Sequence, residues 1–251
     1  MALSNIFGIG LVGLGLALLF FFALPGRQRE ARAWRPIPAI RRLRRAIGLA
    51  VEDGKRLHIS LGKANLLTPD NGSALTALST LERIARMSVV SDRPPVVTSG
   101  DGALAVLSQD TLQAAYRTSH ALDQYDPDRG RLSGPTALSY VAGSLPVIRD
   151  EQVSTNILIG NFGPEVALMT EASEKARAFT LAASDSLAAQ AVLYAAAEET
   201  LIGEELFAAP AYLQAGAAHQ ASLRVQDVLR WVLVALLILG ALLKMAGVDL
   251  L

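Results

Sequence analysis

Three short clusters carry the side chains best suited to hold a small polar molecule. Ser99, Gly100, Asp101 and Gly102 form the first, Gly160, Asn161 and Gly163 the second, and Ser184, Asp185 and Ser186 the third. Each follows a short apolar run and precedes a helical pattern. In an open α/β sheet ligands bind at such junctions, because helix N-termini there present free backbone N–H groups. Glycine admits a close backbone approach. The serines and Asn161 offer hydrogen bonds, and Asp101 or Asp185 can take a hydroxyl group or a metal ion. The same residue types also belong at helix starts as caps with nothing bound, and a fold by itself confers no function.

More specific signatures are absent from the sequence. Gly54-Lys55 and Gly62-Lys63 lack the earlier glycine and the following Ser or Thr of a phosphate-binding loop. Gly100 and Gly102 lack the third glycine of a dinucleotide fingerprint, and no Gly-x-Ser-x-Gly elbow occurs. His58, His120 and His219 are far apart; His58 falls in a strand pattern and reads as a structural histidine with its bonds satisfied. Asp126, Asp128 and Gly130 resemble the start of a calcium loop, but Pro127 intrudes and the closing glutamate is missing, so a turn is expected. No catalytic residue and no metal ligand is assigned, and no cofactor can be named. Glu198, Glu199, Glu204 and Glu205 suit a solvated helix face, a cation, or one side of an ion-paired interface with Arg41, Arg42, Arg44 and Arg45 of a neighbouring copy.

The elements that position these groups are bounded by two apolar ends. The chain has 251 residues, no cysteine, 23 Lys+Arg against 23 Asp+Glu, and 51% hydrophobic residues. Its mean hydropathy is +0.35. Without cysteine there are no disulfides, thiolate metal sites or lipidated cysteine anchors. Residues 2–24 are long enough to cross a hydrocarbon core of about 30 Å as a helix. A cleaved signal peptide is the competing reading, opposed by the length of the run and the arginines after it. Residues 226–246 form the second expected span, with Arg230 and Lys244 reaching back to the interfaces. Arg27, Arg29, Arg32, Arg35, Arg41, Arg42, Arg44 and Arg45 follow the first span, and Arg224 and Arg230 precede the second. Positive charge on the domain side of both predicts a cytoplasmic central domain with both termini outside.

Residues 25–47 read as a basic juxtamembrane linker. Trp34-Arg35-Pro36-Ile37-Pro38 is extended and interfacial. A helix then starts at Pro38, with Ile40, Leu43 and Ile47 on one face and Arg41, Arg42, Arg44 and Arg45 elsewhere. Such a helix suits an anionic lipid surface. Without an aromatic platform, nucleic-acid binding is not expected.

Residues 48–222 predict one α/β domain. Leu49-Ala50-Val51 and the run from Leu57 to Leu61 flank Asp53-Gly54, a hairpin signal. Ser73 is a candidate cap for a helix carrying Leu75, Leu78, Leu81, Ile84 and Ala85, and Val96-Val97-Thr98 is a strand. A helix capped by Ser108 then runs to about Leu122. Another starts at Gly134-Pro135 and stops before Pro146. Strands at residues 156–159 and 178–183 follow, each leading to a helix. Residues 198–212 look helical with a break near Pro210. Strands and helices alternate, and the later strands are apolar without alternation, as in a parallel sheet covered on both faces. The expectation is a Rossmann-like, mostly parallel sheet flanked by an N-terminal and a C-terminal transmembrane helix; an α+β fold with the hairpin at one edge is the alternative.

The segment Glu52-Asp53-Gly54-Lys55-Arg56-Leu57-His58-Ile59-Ser60-Leu61-Gly62 resembles a recurring stretch of a bacterial two-pass membrane-protein family without assigned function. Gly203-Glu204-Glu205-Leu206-Phe207-Ala208-Ala209 is similar to another. The resemblance implies a two-pass membrane protein and carries over no site residues. Taken together, the sequence points to a membrane-anchored, non-enzymatic assembly module, associating with lipid and with itself or another membrane protein. The rivals are a ligand-binding or catalytic domain for a nucleotide or other phosphorylated metabolite at the strand ends, and an accessory subunit of a transporter.

Overall fold

The computed structural model describes residues 2–24, 35–68, 71–214 and 216–245. Arg27, Arg29, Arg32 and Trp34 of the basic linker lie outside the described residues, as does part of the turn before residue 72. The chain divides into two units: Met1–Arg35 with Ala215–Leu251, and Pro36–Gln214. The first contains α1 (Ala2–Ala23) and α9 (Ala217–Met245), which pack against each other. Among the described residues, Ala218–Met245 is one helix long and apolar enough to cross a membrane, and Gly8–Ala23 is a shorter apolar helix.

The second unit is built on six parallel strands. In chain order its elements are α2 (Pro38–Glu52), β1 (Arg56–Gly62), α3 (Gly72–Ser88), β2 (Val96–Ser99), α4 (Gly102–Thr118), β3 (Gly130–Leu132), α5 (Ala137–Asp150), β4 (Val153–Asn161), α6 (Ala167–Lys175), β5 (Phe179–Ser184), α7 (Leu187–Ala196), β6 (Glu199–Leu201) and α8 (Glu205–Tyr212). The strand order is β3-β2-β1-β4-β5-β6. This is the doubly wound Rossmann order, whose direction of winding reverses between β1 and β4. On one face, Leu57, Ile59, Leu61, Val97, Ile157, Ile159, Leu181 and Ala183 meet α2, α3, α4 and α8. On the other, Leu158 and Ala182 meet α5, α6 and α7 through Tyr140, Ile148, Met169, Ala172 and Leu193.

Several expectations change. The hairpin does not form, because residues 49–51 continue α2. That helix ends in paired bonds, from Gly54 N–H to Val51 O at 3.3 Å and from Lys55 N–H to Ala50 O at 2.8 Å, which satisfy its last carbonyls. The apolar face of α2 is also not free for lipid: Ala39, Ile40, Leu43, Ile47 and Ala50 are buried in the core, so residues 38–47 belong to the domain and not to a separate linker. Ser73 does not cap α3; it is buried and Asn71 holds the cap position. Residues 102–118 form one helix with Asp101 as cap, while Ser108 is buried mid-helix on the carbonyl of Ala105. Pro146 lies inside α5, which begins on a capping box of Thr136 and Ser139 and buries Tyr140, Val141, Ser144, Val147 and Ile148. Burial on both sides of the proline offsets the one lost backbone bond. Residues 199–201 are strand, not helix, and α8 then continues through Pro210.

Candidate functional site

The candidate site lies where β1 and β4 part. Their ladder slips there: Ser60 faces Leu158, but Gly62 faces Asn161, so β4 carries one extra residue. The bulge needs glycine on both strands. Gly160 has φ +149° and a Cβ on it would lie 2.1 Å from Leu61 O; Gly62 has φ +74° and its Cβ would lie 2.4 Å from Asn161 O. Beneath the bulge sits the buried phenol of Tyr140. It accepts from Gly62 N–H at 3.2 Å, bonds the Ser60 hydroxyl, and donates to Thr98 O at 3.4 Å. Burial raises its pKa above the ordinary tyrosine value, so it stays a neutral donor.

Deeper in the same face runs a directed hydrogen-bond relay. Thr98 Oγ1–H donates to His58 Nε2 at 2.9 Å, and His58 Nδ1–H donates to Asn156 Oδ1 at 2.7 Å. Asn156 Nδ2 donates to Ser173 Oγ at 2.5 Å, and Ser173 donates to Met169 O at 2.9 Å. All four side chains are buried. Burial pushes the His58 pKa down to about 4, against the opposing hydrogen bond of Asn156, so the imidazole is neutral and its two nitrogens can hold opposite roles. His58 is therefore the satisfied structural histidine the strand pattern predicts.

The three predicted clusters lie at the ends of β2, β4 and β5; β4 and β5 are neighbours, while β1 separates the first cluster from the other two. Their polar groups are largely spent on one another. Asp101 Oδ1 accepts Leu104 N–H at 3.0 Å as the α4 cap. Asn161 Nδ2 donates to Asp185 Oδ1 at 2.7 Å. Ser184 Oγ accepts the N–H groups of Phe162 and Ser186, both at 3.2 Å. Ser186 holds the α7 cap position without a side-chain bond, Gly102 is open, and Ser99 Oγ is buried with no partner among the described residues. Gly100 N–H donates to Gly62 O at 2.9 Å.

The loop after β1 supplies the group that sequence reasoning missed. Lys63 lies over Gly100, where a Cβ would come within 2.7 Å of its Cγ, and its Nζ donates to Glu165 Oε1 at 2.5 Å. Glu165 also accepts Gly163 N–H at 3.2 Å. Burial alone would raise the Glu165 pKa, but the Lys63 bond, the backbone N–H groups and the lysine charge outweigh it and hold the carboxyl below its ordinary value. Both side chains are mostly covered. The pair thus bridges the point where the winding reverses and cancels the charge there. Opening it would free an ammonium group and a backbone N–H for an anion. A lysine following a central strand was the available signal, but β1 is central only once β2 and β4 are known to flank it. Among the described residues, no three metal-ligating side chains come together.

The four arginines of α2 are exposed. Arg42 pairs with Glu199 of the same chain, so this part of the expected contact between copies is internal. Arg44 donates to the Tyr212 carbonyl and Arg83 to the Leu213 carbonyl at 3.0 Å, closing the end of α8 with positive charge.

A family model described as "Domain of unknown function (DUF6754)" matches residues 4–251. No curated protein and no solved structure matches the chain.

Proposed function

We propose that this chain, which belongs to the DUF6754 family of domains of unknown function, is a membrane-anchored, non-enzymatic α/β module that assembles with further copies of itself. In this reading α1 and α9 both span the bilayer, the α/β unit lies on the cytoplasmic side, and both termini lie outside. The arginines beside both apolar helices support that orientation.

One observation carries the assembly: α7 leaves an uncharged face uncovered. The helix has ten residues and no charge, and buries only Ala189 and Leu193 fully. Leu187 is 82% exposed and Tyr194 71%, with Ala188, Ala191 and Ala195 exposed beside them. Beside it, among the described residues, β6 pairs with β5 alone, which leaves its outer edge open. An apolar helix next to an open strand edge is self-complementary in a two-fold contact. Tethering in two dimensions raises the effective concentration of copies, so a modest face suffices. Gly8, Gly10, Gly13 and Gly15 of α1 likewise have open space at the Cβ position, which favours close approach of another helix.

The saturated loops argue in the same direction, since Lys63, Asn161, Asp185 and Glu165 bond each other. The rival, a strand-end site for a phosphorylated metabolite, draws support from the position of Lys63 at the winding reversal. Mass measured by light scattering in mild detergent decides for assembly. The wild-type chain is expected to form dimers or larger species that Leu187→Glu with Tyr194→Glu converts to monomers. A wild-type monomer at every concentration would refute it.

A further inference from the structure

We infer that the cavity at the start of α2 is a site for the phosphodiester headgroup of an anionic phospholipid. The proposal rests on the membrane-anchored part of the reading above and adds a defined ligand pocket to it. The cavity holds about 290 Å³ and is lined by Pro36, Ile37, Ile40, Arg41, Arg44 and Tyr212. This is close to the lower bound for small-molecule sites, enough for a phosphate group and the first carbons attached to it.

The lining is divided in chemistry. Pro36 and Ile37 provide accessible hydrocarbon with the buried Ile40 behind them, while Arg41 and Arg44 provide two guanidinium groups, the side chain best matched to phosphate oxygens. Arg44 spends one N–H on the Tyr212 carbonyl and keeps others. Arg41 makes no ion pair among the described residues. Among the described residues no acid lines the cavity to neutralise the two charges, and the α2 dipole adds to them. A free phosphate would use only the arginines. A phospholipid uses both halves, charge at the guanidinium groups and glycerol carbons at the apolar wall.

Position favours the lipid as well. Pro36 opens this unit of the chain and Tyr212 lies near its last residue, Gln214. Both line the same cavity, so the chain enters and leaves the unit beside it. Both connections lead to the apolar helices α1 and α9. The apolar face of α2 is occupied by the core, so headgroup contact falls to this pocket and not to an inserted helix face.

The test uses the purified full chain in a zwitterionic detergent. Dihexanoyl phosphatidylglycerol is titrated below its own micelle concentration, with dihexanoyl phosphatidylcholine and inorganic phosphate in parallel, and Tm is read. A saturable rise in Tm is expected with phosphatidylglycerol. Arg41→Glu should weaken the apparent Kd by about tenfold or more. Arg45→Glu makes the same charge change outside the cavity and should leave Kd within about twofold. Ile37→Ser should weaken phosphatidylglycerol while leaving both guanidinium groups in place. An equal response to phosphatidylcholine would overturn the charge requirement. An equal response to phosphate would make the site one for a free anion and overturn the lipid assignment. Equal losses in Arg41→Glu and Arg45→Glu would reduce the pocket to a diffuse basic surface and overturn it. A monomeric wild-type chain would refute assembly without touching this titration, and absent lipid binding would refute the pocket without touching the mass measurement.

Discussion

Acidification is expected to weaken the folded chain through His58 well before Glu165 responds. In the unfolded chain the imidazole takes up a proton as the pH falls through about 6.5, whereas in the folded core it stays neutral down to about 4. The unfolded state therefore binds more protons throughout that window, and stability drops as the pH is lowered through it. Each unit of pKa difference is worth about 1.4 kcal/mol. The loss is about 2 kcal/mol at pH 5 and levels off near 3 kcal/mol below pH 4. Glu165 acts in the same sense but lower. Its carboxyl is held below 4.5 in the fold, so its contribution is intact above that pH and fades as the pH falls through its folded value. The His58 contribution therefore starts to be lost at a higher pH than that of Glu165. Urea denaturation of the full chain in mild detergent, followed by circular dichroism at pH 8, 7, 6 and 5, measures it. His58→Gln removes this titrating group, so its stability should fall less steeply with pH than the wild type, by about 2 kcal/mol at pH 5, whatever its value at pH 8. A flat wild-type profile, or a His58→Gln profile as steep as the wild type, would refute the reasoning.

Two further perturbations test the strand ends. Gly160→Ala places a Cβ 2.1 Å from the Leu61 carbonyl at a φ of +149°, and should cost about 3 kcal/mol or more, with unfolded protein as the extreme outcome in expression and melting assays. Glu165→Gln leaves the Lys63 ammonium mostly covered and without its counter-charge, and should cost about 1–2 kcal/mol in urea denaturation. Lys63→Met in the same background should recover part of that loss, and no recovery would show that the two side chains are not coupled.

Strands β2 and β4 were legible because burial on both faces leaves an unbroken apolar run. Val96-Val97 and Ile157-Leu158-Ile159 can hardly be anything else. The edge strands were not. Gly130-Arg131-Leu132 and Glu199-Thr200-Leu201 are three residues each and polar, as an outer strand exposed along one side permits. Asp53-Gly54 misled for a physical reason: a glycine that closes a helix and one that turns a hairpin need the same backbone freedom. Which role it takes depends on whether Leu49 and Ala50 have a core to face as helix, and the core arrives later in the chain. The candidate site was readable as far as its loops. Its defining contact was not, since Lys63 and Glu165 are separated by 102 residues and neither belongs to a motif.

The relay from Thr98 to Ser173 also restricts how the sheet can assemble. Side chains alternate along each strand, so shifting β1 by a single residue against β4 would carry the imidazole over to the aliphatic side. Asn156 Oδ1 and Thr98 Oγ1 would then lose the imidazole that both of them bond, and His58 would be stranded among leucines and isoleucines. Misaligned sheets thus forfeit several bonds at once, while the correct alignment forfeits none. Four linked polar side chains act as a proofreading device for strand alignment, in a chain whose neighbouring β1 and β4 must find each other across ninety intervening residues.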